Sequence, residues 1–199
     1  STGHGYVREP QSIITYAALA CIVIQANQNE MHGGQSLPNF DYAMADGVAK
    51  TYTKEYFKAL RSFVEVRLHY DEQKASTLEK VLRGAVSTPL RMGQEQLFLD
   101  AFRQLPLEDS LKECLDEMHA FGMQQAMKYT EEQTRQAMQS LIHNLNTMHS
   151  RAGAQVPFSS INYGTDTSPE GRMVIRNLLE STIDGLGAGE TPIFPVQIF

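Results

Sequence analysis

The chain has only two cysteines in 199 residues, Cys21 and Cys114, and they lie far apart. That excludes a cysteine-only metal cluster and a disulfide framework. A reducing cytoplasm is the expected setting. Excess positive charge is also missing: 17 Lys and Arg stand against 23 Asp and Glu, a formal net charge of -6. A general nucleic-acid binder needs a basic surface, so no nucleic-acid partner is expected. No apolar run reaches the roughly 20 residues of a membrane span, and nothing reads as a signal peptide, so no membrane partner is expected either. With 42% hydrophobic and 20% charged residues, the composition is that of a globular protein with room for one domain or a large piece of one. The chain starts at Ser1 and stops at Phe199 inside what reads as a strand, which suggests a fragment of something longer.

Ser12 can cap a helix. Ile13 to Ile24 is apolar almost all round, so this helix is expected to be central and buried on most sides. Cys21, in its middle, reads as a small core residue before it reads as a radical thiol. The character then changes to Gln28-Asn29 and Met31-His32-Gly33-Gly34-Gln35-Ser36. Two glycines let backbone approach a ligand and free its N–H groups; His32, Gln35 and Ser36 add side-chain donors. A plain turn explains the pattern as well. From Val48 to about His69 an amphipathic helix carries Tyr52, Tyr56, Phe57, Leu60, Phe63 and Val64 on its packed face. Lys50, Lys54 and Lys58 form a stripe at four-residue spacing. It reads first as a solvated face, and second as a contact for the phosphates of an effector nucleotide. Gly84, Pro89, Gly93 and Pro106 break the next stretch into helical segments, one from Leu107 to Lys128. Residues 70–129 read as a variable helical insertion. Cys114 and His119 do not have helical-neighbour spacing, so no metal site is expected there.

Thr130 with Gln133 reads as a capping box that starts a new helix, with Met138, Leu141, Ile142, Leu145 and Met148 on its buried face. Arg151-Ala152-Gly153 fits its end. Gln155 to Tyr163 reads as a strand, with Val156, Phe158 and Ser160 on one side and Ser159, Ile161 and Tyr163 on the other. The strand is rich in amides and hydroxyls: Gln155, Ser159, Ser160 and Asn162. Buried polar groups need partners, so this strand is expected to border a polar cavity or a ligand. Thr167-Ser168-Pro169-Glu170 is a helix start with proline at the first helical position. An anion would favour that N-terminus, although Asp166 and Glu170 weaken the case. A final strand over 192–199 completes a βαβ unit with a parallel pair. The fold class is helix-rich α/β.

Two runs carry a family resemblance. The first is His143-Asn144-Leu145-Asn146-Thr147-Met148, followed by Ser150-Arg151-Ala152-Gly153, Gln155-Val156-Pro157-Phe158-Ser159-Ser160, Asn162 and Gly164-Thr165-Asp166. The second is Gln28-Asn29, Met31 to Ser36, Pro38, Phe40-Asp41-Tyr42, Gly47-Val48 and Lys50-Thr51, with Asp46 where the family pattern has proline. The wording resembles the anaerobic ribonucleoside-triphosphate reductases of the glycyl-radical class, over roughly residues 1–54 and 130–199.

The resemblance implies a ten-stranded α/β barrel, of which residues 1–199 would be a fragment of one catalytic domain, part of the first half. It implies reduction of ribonucleoside triphosphates to deoxyribonucleotides, with a glycyl radical, a thiyl radical and formate as reductant. It also implies zinc in a C-terminal region, allosteric ATP and deoxynucleotides, a radical-SAM iron-sulfur activase and a homodimer. The radical cysteine and glycine are expected outside this chain, which should be inactive alone and hold no cofactor or metal of its own. His32, Gly33, Gly34, Gln35, Ser36, Gln155, Ser159, Ser160 and Asn162 are the candidate substrate contacts, and Lys50, Lys54 and Lys58 the candidate effector contacts. A formate-lyase relative and a non-catalytic nucleotide-binding or dimerisation module are the alternatives.

Overall fold

The computed structural model describes residues 8–31, 33–148, 156–187 and 189–199. Helix α1 spans Ile13–Glu30, and the strand β1, Gln35–Leu37, follows it. Then come α2 (Phe40–Arg67), α3 (Glu72–Gly84), α4 (Glu95–Arg103), α5 (Asp109–Glu113) and α6 (Leu115–Thr147). The chain closes with β2 (Ser159–Asn162), α7 (Pro169–Asp184) and β3 (Val196–Ile198).

Helix α1 starts at the expected cap. Ser12 accepts from Thr15 N, and Thr15 Oγ1 accepts from Ser12 N, a reciprocal box that satisfies two end donors. Its burial is more one-sided than its composition predicts. Ile13, Ala17, Ala20, Cys21 and Ile24 are buried, while Ile14, Ile22 and Val23 stay 42, 57 and 40% exposed. Among the described elements, α2, α6 and β1 lie against the helix most, and part of its apolar flank stays exposed among the described residues.

The long α2 and α6 form the spine. Tyr52, Tyr56, Phe57, Leu60 and Val64 of α2 are buried against Met118, Ala126, Met138, Leu141 and Leu145 of α6 in one core. Gly122 makes the approach close: a Cβ there would sit 2.6 Å from Leu60 Cδ2 and 2.9 Å from Tyr56 Cε2. Helix α6 runs unbroken through Thr130, where the sequence pattern predicts a start. Thr130 is fully buried mid-helix, and Gln133 reaches across to Glu55 instead of back to a cap. The buried stripe of Met118, Gly122, Ala126, Thr130 and Thr134 crosses the boundary without interruption, and tertiary burial outweighs a local capping pattern. The helix expected over 107–128 is instead divided at Cys114 between α5 and α6. Helix α6 closes at Thr147 with Met148 as cap. The expected end at Arg151-Ala152-Gly153 lies outside the described residues. Apolar residues of the 70–129 stretch, among them Leu82, Phe98, Phe102 and Leu111, join the same core.

The sheet is parallel, in the order β1-β2-β3. Gln35 pairs with Ser159, Ser36 with Ser160 and Leu37 with Ile161; Ser160 pairs with Val196, Ile161 with Gln197 and Asn162 with Ile198. The expected βαβ unit is therefore β2-α7-β3, capped at Ser168 with Pro169 at the first helical position. Both strands are shorter than their sequence patterns suggest: β2 pairs over four residues and β3 over three. Alternation divides the sheet into two faces. Gln35, Ser159 and Ile161 are buried against the helices, while Ser36, Val196 and Ile198 are exposed on the other side.

Candidate functional site

The two polar stretches, more than a hundred residues apart, become neighbouring strands. Ser36, Ser160 and Asn162 share the outward face. Ser36 Oγ lies 3.5 Å from Asn162 Oδ1, a long hydrogen bond. Gln35 and Ser159 point the other way, into the helical layer, where Ser159 is fully buried and its Oγ has no partner among the described residues. Of the expected contacts, then, three face outward together and two face inward. His32 and Gln155 lie outside the described residues.

The glycines have specific tasks. Gly33 has φ +122°, which an L side chain rarely adopts. Gly34 makes room for a ring: a Cβ there would meet Phe158 Cδ1 at 2.8 Å. The space that a Cβ would fill at Gly34 is thus taken by the Phe158 ring. That ring stacks edge-on against Phe194, 5.2 Å between centroids. Phe194 is held in turn by Asn146 of α6. Asn146 Nδ2 donates to Phe194 O at 2.6 Å, and its Oδ1 accepts from Ile193 N at 2.9 Å and Phe194 N at 3.0 Å. These contacts tie down the amino ends of the strands.

The carboxyl ends are tied by Asp41, in the first turn of α2. Its fully buried carboxylate accepts at Oδ2 from Gly164 N and Asp166 N, both at 2.9 Å, and at Oδ1 from Tyr42 N at 3.0 Å. Gly164 itself has φ +110°, with the Phe199 ring against its bare Cα. The N-terminus of α7 is likewise occupied from within. Ser168 N donates to Asp166 Oδ1 at 2.8 Å, and Gly171 N to Ser168 Oγ at 3.1 Å. Glu170 turns away to accept from Met92 N at 2.8 Å. The anion-favouring end foreseen from sequence is filled by internal oxygens.

The lysine stripe separates. Lys50 donates to Glu9 Oε1 at 2.6 Å, Tyr16 Oη at 3.0 Å and Pro10 O at 3.2 Å. Burial pulls its pKa down, but the Glu9 carboxylate and Tyr16 hydroxyl outweigh this and hold it above the usual lysine range. Asp46, at the position where the family pattern has proline, is the hub beside it. It accepts from Tyr16 Oη at 2.7 Å and lies 3.5 Å from Lys50 and 3.4 Å from Arg91. Burial raises its carboxyl, yet the Tyr16 hydroxyl and the Lys50 charge bring it below the usual range. Lys54 is exposed and pairs with no carboxylate among the described residues. With Lys50, Arg83, Gln11 and Thr88 it lines a hollow of about 420 Å³. Lys58 belongs to a different hollow, with Arg61, Glu65 and Glu72.

Cys21 does not have the surroundings of a reactive thiol. Burial pushes it up to about 11, only partly opposed by a hydrogen bond with Asn144, and a thiol is a poor nucleophile in that state. Sequence reasoning missed Asp41 and Asn146 as individual residues. Both sit inside quoted motifs, Phe40-Asp41-Tyr42 and His143 to Met148, and an acid in the first turn of a helix was the one local signal for Asp41.

A parallel sheet backed by helices, with hydroxyls and amides on its bare face and polar turns at its carboxyl edge, has the architecture of an α/β enzyme domain, where ligands lie beyond the carboxyl ends of strands. The particular family follows from sequence comparison. The family model for anaerobic ribonucleoside-triphosphate reductase matches residues 1–199, and the chain belongs to that family, whose members are oxidoreductases. It is 37% identical over 75 residues to the anaerobic ribonucleoside-triphosphate reductase of Salmonella typhimurium, covering 37% of this chain and 10% of that one. It is 39% identical over 77 residues to the enzyme of the same name from Enterobacteria phage T4, covering 38% of this chain and 13% of the phage protein. For the Haemophilus influenzae reductase the identity is 39% over 64 residues, or 32% of this chain and 9% of that one. The matched stretches thus span about a tenth of each relative's length. No helix among the described residues is long and apolar enough to cross a membrane.

Proposed function

We infer that this chain is a section of the catalytic domain of an enzyme that reduces ribonucleoside triphosphates to deoxyribonucleoside triphosphates without oxygen. The observation that carries the reading is the pairing of β1 with β2, which sets Ser36 beside Ser160 and Asn162 on one open face. Parallel sheets are normally covered on both faces. Further strands of the same polypeptide would close this one into the ten-stranded barrel, with the open face turned to its interior. Three strands cannot close alone.

In that setting the chain's residues bind and orient. Ser36, Ser160 and Asn162 offer hydroxyl and amide groups to the substrate. Asp41 and Asn146 fix the strands that carry them. Lys54, with Lys50 and Arg83 around one hollow, is the stronger part of the effector stripe, and Lys58 the weaker. A glycyl radical outside this chain would supply the hydrogen-abstracting thiyl through a cysteine also outside it, with formate as the reductant. The activase, the homodimer, the zinc of the C-terminal region and a cytoplasmic setting belong to the same proposal.

The test is direct. The full-length protein, activated anaerobically and given formate, should convert a ribonucleoside triphosphate to its deoxy form. Replacing Lys54 by Glu should weaken the response to effector nucleotides and spare turnover without effector. Absence of any deoxynucleotide product in the activated, radical-bearing protein would sink the reading.

A further inference from the structure

Residues 70–111 lie outside the runs that carry the family resemblance. They frame an open groove of about 520 Å³ between α3 and the segment that leads into α5. Its floor is apolar: Leu111 is buried, Leu78 and Leu107 are half-buried, and Val81 is 44% exposed. Lys74, Leu78 and Val81 recur at four- and three-residue spacing, so they line one side of α3 along the groove. The rim is polar and mostly acidic. Lys74 Nζ lies 4.0 Å from the centre of the Tyr70 ring and 3.0 Å from Glu108 Oε1. Tyr70 Oη donates to Glu108 Oε2 at 2.8 Å. Asp71 lines the same groove. Asp109 and Glu113 stand exposed on α5 and pair with no cation among the described residues. The groove and α5 together carry four carboxylates, Asp71, Glu108, Asp109 and Glu113, against two ammonium groups, Lys74 and Lys112.

We propose that this groove docks a basic amphipathic helix of a partner polypeptide, with the partner's apolar side chains on Leu78, Val81 and Leu107 and its Lys or Arg on the acidic rim. The proposal does not rest on the reductase reading. The strip from Lys74 to Val81 runs about 10 Å along α3, the reach of two or three anchors on one face of a second helix. Lys74 displays the contact that a basic side chain makes here, with its ammonium on a ring face and a carboxylate. Asp109 and Glu113 remain for cations from outside. An acidic segment or a free polyphosphate would instead set its own charge against four carboxylates.

The experiment uses the full-length protein and two synthetic helical peptides, each with leucine along one face. One carries lysine on its other face and the second carries glutamate there. The leucine–lysine peptide should bind, and its affinity should fall as salt rises. Val81→Gln, on the exposed lip, should weaken it about tenfold through lost apolar contact. Glu108→Gln should weaken it about two- to fivefold and flatten the salt dependence. Binding of neither peptide, equal binding of both, or an affinity untouched by Val81→Gln would overturn the proposal. So would a shift of the protein's own oligomer towards monomer in Val81→Gln, measured by sedimentation, because the groove would then hold a second copy of the chain. Val81 and Glu108 are both exposed, so either variant carries the test if the other loses its fold.

Discussion

The two ends of the three-stranded sheet are held by different physics. At the carboxyl end a single buried carboxylate, Asp41, gathers three backbone N–H groups from two distant parts of the chain. At the amino end the work is divided between an amide, Asn146, and two rings, Phe158 and Phe194. One end centres on a single fully buried group, with Tyr163 bonded to Gln197 as a lesser tie, whereas the other is shared among groups that are partly exposed. The end beyond which ligands lie in such sheets is thus the one fixed by charge-assisted bonds, which are shorter and stronger than neutral ones. The comparison makes a ranking of losses.

Asp41→Ala should be the most damaging change. It leaves the buried N–H of Asp166 and the half-buried N–H of Gly164 without acceptors. At about 1–3 kcal/mol for each buried group left unsatisfied, the loss should be about 3–4 kcal/mol, read from chemical denaturation. Asp41→Asn retains one acceptor oxygen and should lose roughly half of that. If Asp41→Ala cost no more than Asn146→Ala, the asymmetry between the ends would be wrong.

Asn146→Ala comes next. It removes the acceptor for Ile193 N and Phe194 N and the donor to Phe194 O. Ile193 is exposed and water can replace part of this, so about 1–2 kcal/mol is expected. Proteolysis should speed up around residues 190–195 before global unfolding, since the segment leading into β3 loses its tie. Equal protection of that segment in the variant and the parent would show that the rings alone hold the amino end.

How much of this was legible beforehand depends on range. The starts of α1 and α7 are written within four residues, in Ser12-x-x-Thr15 and Ser168-Pro169, and the structure has both. Thr130-x-x-Gln133 has the same local form and is overruled, because the stripe that buries α6 against α2 continues through it. Strand lengths were overestimated because alternation in 155–163 reports burial, while pairing is limited by the three residues that β1 offers. No strand was expected over 35–37, and its pairing with β2, more than a hundred residues away, leaves no local signal. Asp41 could not be found as a clamp at all: its partners are 123 and 125 residues away, and no periodicity records such a contact.

Gly34→Ala should be small, and it separates two explanations of one glycine. The added Cβ meets a Phe158 ring edge at 2.8 Å, yet that side chain is 58% exposed and free to swing outward. The cost should stay below about 1 kcal/mol, as for a surface change with a yielding neighbour. Phe158→Ala should then make Gly34→Ala nearly neutral, a coupling seen in a double-mutant cycle. Additive losses would mean that Gly34 is needed for something other than this ring.

The smallest expected effect tests the helical layer behind the sheet and not the sheet itself. His119 is buried with Nδ1 2.6 Å from Tyr56 Oη. The hydroxyl and Nδ1 share one hydrogen bond, and the tautomer of the ring sets which of the two donates. Burial lowers the His119 pKa below its ordinary value. The unfolded chain therefore takes up the proton first as pH falls, and stability drops as the pH passes below about 6.5, the unperturbed histidine value. The drop levels off below the folded-state pKa, where both states are protonated. Above about 7 this residue should leave stability independent of pH. His119→Gln keeps both an acceptor and a donor for the Tyr56 hydroxyl and does not titrate. Its stability between about pH 5.5 and 7.5 should follow a shallower slope than the parent's, measured by denaturant midpoint at each pH. A parallel pair of slopes would mean that some other group, and not the pairing of Tyr56 with His119, makes the α2–α6 spine acid-sensitive.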